Sequence, residues 1–158
     1  MEFEPIGWVR STRRTPGLRG HNWDGETASI ELDAARFEPA ALRGLDSFSH
    51  LEVLFFFDQL DPGLIETGSR RPAGRDDWPE VGIFAQRFSH RPNRLGVSRC
   101  AIRTVSGLTV HVAGLDAIDR TPVLDIKPWV AEQGPRGDVR QPAWSSELMA
   151  GYWTGHPA

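Results

Sequence analysis

Between Gly114 and Trp129 the chain places three carboxylates and one amine within sixteen residues, Gly-Leu-Asp-Ala-Ile-Asp-Arg-Thr-Pro-Val-Leu-Asp-Ile-Lys-Pro-Trp. Asp116, Asp119 and Asp125 are groups that hold a hydroxyl or an amine or accept a proton, and Lys127 is a cation that orients a polar partner. The same residue types also cap turns and form surface ion pairs, which is the commoner role for any one of them alone. What sets this stretch apart is that so much polar chemistry lies in a segment that otherwise reads as core.

The elements that must carry these groups are short and extended. Leu108-Thr109-Val110-His111-Val112 alternates apolar and polar side chains and is rich in β-branched residues, the pattern of a half-buried strand ending at Gly114. Pro122 and Pro128 cannot donate to a ladder and push Thr121 and Lys127 toward extended geometry, so the aspartates are expected on turns and strand ends. Upstream, Phe3–Arg10 and Ala28–Leu32 read as strands, Phe37–Leu45 as a short helix, and Ser49–Phe57, the most apolar run, as a buried strand. Asp61–Pro79 is a long loop punctuated by proline and glycine, which points to a flap or a partner contact. Val81–Ala85 and Arg99–Val105 read as further strands, with a tight turn at Ser106-Gly107. About eight short strands and few helical patterns predict an all-β fold, a small single-domain β-barrel with short helical segments and long loops, because closure removes exposed edges.

Three blocks of this sequence resemble one family. The first is Pro5-Ile6-Gly7 with Val9-Arg10-Ser11, extended by Gly44-Leu45 and Phe48-Ser49-His50-Leu51 with Leu54-Phe55. The second is Gly82, Phe84-Ala85, Arg87 and Arg91-Pro92-Asn93 with Gly96 and Ser98, and the third is the Gly114–Trp129 string itself. Together they are similar to the TrmO-like family of S-adenosylmethionine-dependent methyltransferases, which are built on a β-barrel. The resemblance covers almost everything from Pro5 to Trp129. It implies S-adenosyl-L-methionine as cofactor, held by Asp58, Gln59, Arg87, Val97 and the run Ala113-Gly114-Leu115-Asp116. His21 and Asn22 join that set from the loop where relatives carry Pro-Arg-Gln and this chain has Gly20-His21-Asn22. It leaves Asp119, Asp125 and Lys127 to orient or deprotonate the methyl acceptor, and Arg91, Asn93 and Arg94 to meet the substrate. Three departures stand out: the altered loop, Asp58-Gln59 where relatives carry a histidine, and Arg94 in place of proline.

The resemblance further implies an acceptor in tRNA, the exocyclic amine of threonylcarbamoyladenosine next to the anticodon, and a homodimer. A small-molecule acceptor, a non-catalytic cofactor-binding protein and a small binding module with purely structural aspartates are the competing readings. Eighteen basic against 21 acidic residues give a net charge of −3, so any RNA contact must be local and made by arginine clusters such as Arg87, Arg91, Arg94 and Arg99. A single cysteine, Cys100, excludes an internal disulfide framework and suits a reducing cytoplasm. No signal peptide or membrane span is expected. Residues 1–135 are expected to form the barrel. Residues 136–158 form a tail whose Trp144, Tyr152 and Trp153 need burial on the barrel or a partner subunit, without the further C-terminal domain of longer bacterial relatives.

Overall fold

The computed structural model describes residues 2–15, 23 and 25–154. Its strands are β1 (Gly7–Arg10), β2 (Thr27–Leu32), β3 (His50–Phe56), β4 (Ser69–Arg70), β5 (Val81–Gly82), β6 (Leu95–Ser106), β7 (Thr109–Ala113) and β8 (Pro122–Pro128). Six of them close an antiparallel barrel in the order β1-β2-β7-β6-β3-β8, while β4 and β5 pair as a separate ribbon. The period-2 alternation decides which side chains face inward. Val9, Ile30, Leu51, Val53, Cys100, Val110, Val112 and Val123 are fully buried, with Phe55 beside them. A barrel of six strands encloses only a narrow interior, which these side chains fill. At Gly7 the packing leaves no room for a side chain, since a Cβ there would lie 2.1 Å from the Glu31 carbonyl oxygen on β2.

Four local readings change. Val81–Ala85 is extended only over its first two residues, and Ile83–Ala85 is a 3₁₀ turn. The turn buries Ile83 and exposes Phe84, the same in-and-out alternation a strand would give. Phe37–Leu45 is not one helix but two 3₁₀ turns, Pro39–Leu42 and Leu45–Ser47, divided at Gly44, whose φ of 84° is left-handed. The first strand starts at Gly7 rather than Phe3. The stretch from Leu95 to Ser106 is one long strand, with a register shift against β7 between Ile102 and Thr104. Such a bulge bends a strand and lets it follow the barrel wall.

Antiparallel order fixes where the connections go. β1, β3 and β7 all end at one rim, so the segments that begin at residues 11, 57 and 114 leave the barrel together there. The motif loop therefore shares its rim with the starts of the segments that follow β1 and β3. Among the described residues no helix is long and apolar enough to cross a membrane.

Candidate functional site

β7 delivers Ala113 to the rim, and Gly114 turns the chain with φ of 77°, a left-handed conformation that glycine adopts without a Cβ penalty. The loop is then tied to β6. The Asp116 N–H donates to the buried Ser98 hydroxyl at 3.2 Å, and the Cys100 thiol donates to the Gly114 carbonyl at 3.6 Å. Leu115 is buried in the core and anchors the loop from within. Above the loop the Tyr152 hydroxyl donates to the Asp116 carboxylate. Burial, then the negative charge of Asp116, pushes the Cys100 thiol up to about 12. Burial and the same carboxylate raise the Tyr152 phenol, while the nearby cations Arg13 and Arg87 oppose that rise. Arg87 also reaches the Val97 carbonyl at 3.4 Å. A cleft of about 300 Å³ runs along the outer wall here, lined by His50, Arg99, Ala101, Arg103, Ala113, Gly114 and Trp153.

Six of the residues expected to hold a cofactor, namely Arg87, Val97, Ala113, Gly114, Leu115 and Asp116, thus gather on the β6–β7 side of the rim. Asp58 and Gln59 do not join them. They line a second cleft of about 460 Å³ with Trp8, Arg10, Arg120 and Pro122, on the β1–β8 side. Since β7 and β8 are three strands apart in either direction round the barrel, the two clefts face opposite ways. His21 and Asn22 lie outside the described residues.

The three candidates for orienting an acceptor separate as well. Asp119 accepts from the Ser11 N–H at 3.1 Å, and its own N–H donates to the Arg13 carbonyl at 2.6 Å, so it pins the segment after β1 to the motif loop. Asp125 and Lys127 form an ion pair with each other on β8, half exposed on the wall opposite Gly114. Of the expected substrate contacts, Arg91 donates to the Ile83 and Gln86 carbonyls at 2.7 and 2.6 Å and buttresses the 57–94 loop. Arg94 sits at φ of 50°, reaches the Leu60 carbonyl at 3.2 Å and covers the Phe56 ring, while Asn93 between them is exposed.

The model of the family described as tRNA-methyltransferase O N-terminal domain matches residues 10–133. The chain belongs to this family. It is 36% identical over 144 residues to the tRNA (adenine(37)-N6)-methyltransferase of Escherichia coli (strain K12), an alignment covering 82% of this chain and 58% of that protein. It is 31% identical over 131 residues to a "Probable S-adenosyl-L-methionine-binding protein" of Archaeoglobus fulgidus, covering 82% of this chain and 34% of that one. The crystal structure of TrmO from Pseudomonas aeruginosa superposes with a TM-score of 0.68 at 29% identity, covering 89% of this chain and 60% of that chain. The chain therefore spans between about a third and three fifths of these proteins.

The TrmO-domain match ends at residue 133, so the segment that closes over Asp116 lies beyond it. That segment carries the helix α1 (Ala143–Met149) and is tied back to the 57–94 loop. The Trp78 indole N–H donates to the Glu147 carboxylate at 2.7 Å, and the Trp78 and Trp144 rings lie 6.4 Å apart. Three residues at this TrmO-type rim were not singled out from sequence. Ser98 sits in a matched block but reads there as one more small residue, and Arg13 reads as one of several solvated arginines. Tyr152 is flagged only as an aromatic in need of cover, because no local pattern says which carboxylate its hydroxyl meets.

Proposed function

We propose that this chain is an S-adenosylmethionine-dependent methyltransferase acting on an adenosine of tRNA, with the threonylcarbamoyl-modified adenosine beside the anticodon as acceptor. The observation that carries this reading is the motif loop of a TrmO-family chain: left-handed Gly114 lines a cleft, and, two residues on, the Asp116 carboxylate is bonded to Tyr152, which Arg87 also influences. The names of the E. coli and A. fulgidus relatives supply the reaction and the cofactor.

The residues present fit such a cofactor. The Asp116 carboxylate and the Arg13 and Arg87 guanidinium groups all bear on Tyr152, and one N–H of the buried Arg13 guanidinium has no protein partner. When bound, S-adenosylmethionine supplies a sulfonium-activated methyl carbon. The protein's share of catalysis is then positioning, since attack needs the acceptor lone pair in line with that carbon. Asp116 suits a cofactor hydroxyl or amine, and backbone at Gly114 approaches closely for lack of a side chain. His50, Arg99 and Arg103 line the adjoining wall, and Trp153 offers a ring on which a base stacks. That gives a chain of net negative charge a local basic path for RNA.

Incubation with radiolabelled cofactor and total tRNA carrying the threonylcarbamoyl modification, in parallel with a small-metabolite extract, tests this reading. Label is expected in the tRNA fraction. Label found only among small molecules overturns the tRNA acceptor and leaves methyl transfer standing.

A further inference from the structure

We propose that Arg13 is the carboxylate anchor of the ligand site, receiving the α-carboxylate of the cofactor's amino-acid end while Asp116 takes the neighbouring ammonium. This rests on the reading that the chain binds S-adenosylmethionine, and it assigns the end of the ligand that each charge recognises.

Arg13 is a charged residue with only 9% of its surface exposed. Its Nε donates to the Thr15 carbonyl at 3.3 Å, and its guanidinium lies 4.4 Å from the centre of the Trp23 ring. Its Nη1 is buried and has no hydrogen-bond partner, the single such side-chain atom among the described residues. A buried donor left unsatisfied costs about 1–3 kcal/mol, and more on a charged group, so proteins rarely keep one without a use. Nor is its position incidental. The Arg13 carbonyl accepts from the Asp119 N–H at 2.6 Å and the Arg13 N–H donates to the Ser11 hydroxyl at 3.1 Å, while the Ser11 N–H is held by the Asp119 carboxylate at 3.1 Å. The motif loop that presents Asp116 thus also sets the backbone of Arg13.

The chemistry of the pair selects the ligand. Asp116 is bonded to the Tyr152 hydroxyl, Arg13 is bonded through its carbonyl to Asp119 of the same loop, and both Arg13 and Arg87 act on the Tyr152 phenol with the sign opposite to Asp116, so two cations and one anion bear on one side chain. An α-amino acid carries a carboxylate and an ammonium on one carbon, and its charges complement that arrangement. The planar guanidinium fork matches a carboxylate in a way an ammonium does not. Asp119 becomes a positioning residue for Arg13 rather than a base.

Calorimetric titration of the full chain with S-adenosylhomocysteine and with 5′-methylthioadenosine, which lacks the amino-acid end, tests the assignment without tRNA. The wild type should prefer the first ligand, and Arg13→Gln should weaken it about 10- to 100-fold while leaving the second unchanged. Arg13→Lys, which keeps the charge and loses the fork, should fall between. The unliganded melting temperature of Arg13→Gln should change little, because removal of an unsatisfied buried charge offsets the lost Thr15 bond and Trp23 contact. Equal wild-type affinity for the two ligands, an equal loss of both in the variant, or a falling melting temperature together with that loss overturns the proposal and leaves cofactor binding intact. A wild type that binds neither ligand overturns the proposed function along with it.

Discussion

At the scale of single residues, the rim shows how one carboxylate organises its neighbours. Asp116 accepts from Tyr152, and its charge lies close to the buried Cys100, so both neutral acids are held in their protonated forms. For Cys100 the folded value of about 12 stands above the ordinary 9.0, first through burial and then through Asp116. A raised folded value means that the folded state keeps a proton the unfolded state releases. The stabilisation is therefore complete below pH 9 and is lost as pH rises from about 9 to about 12. Tyr152 shifts in the same direction and adds to the same alkaline loss. Urea unfolding across pH 8–11 is expected to show stability falling with pH, and Cys100→Ala should remove the earlier part of that fall. A flat profile in the wild type would show that neither group is shielded as described. The thiol should also resist iodoacetamide at pH 8 in the folded protein, since the thiolate is the reactive form.

At the scale of elements, the segment after β8 is held by two side-chain bonds that span 69 and 36 residues of sequence, Trp78 to Glu147 and Tyr152 to Asp116. Trp78 is almost fully buried, with Arg75 over its ring at 4.1 Å, so the loop supplies a firm mount for a seven-residue helix that has no side-chain cap of its own. Trp78→Phe keeps the ring and loses the indole donor. It should cost about 1 kcal/mol and lower the melting temperature by about 2–4 °C. Limited proteolysis should cut the tail faster in this variant, and an unchanged rate would mean that the Glu147 bond does not hold it. The contrast between strands and tail shows what sequence can reveal. Ser49–Phe57 and Leu108–Val112 were legible because a barrel strand buries every second side chain, and that period is written locally. Val81–Ala85 misled because a tight turn after Gly82 buries Ile83 and exposes Phe84 just as a strand would. The site was legible to the extent that it is a contiguous loop, Gly114 to Asp116. Asp125 and Lys127 follow only a few residues later, yet β8 carries them to the far wall. Arg13 and Tyr152 reach the rim through contacts with no periodic signature.

At the scale of the whole molecule, the apolar surface is unevenly spread. Phe84 is 77% exposed, and Leu95 and Val97, at 43% and 41%, stand on one outer face of β6. Arg87, three residues after Phe84, reaches the Val97 carbonyl, which ties the turn to the strand. Single exposed hydrophobes need no explanation, but three on a turn and strand joined by Arg87 are the kind of surface for which we propose a covering chain. A second copy is the expected cover. Closed two-fold pairing is the commonest assembly, and it would bury about 800 Å² on each partner if the interface is of ordinary size. Light scattering at micromolar concentration is then expected to give twice the 17.6 kDa of one chain. Phe84→Asp places a charge on a side chain that contributes little to the barrel's own core, so it should yield a folded monomer with an unchanged circular dichroism spectrum. A wild type that elutes and scatters as a 17.6 kDa particle at all concentrations would rule the pairing out. If the pair forms but persists in Phe84→Asp, the contact lies elsewhere on the barrel.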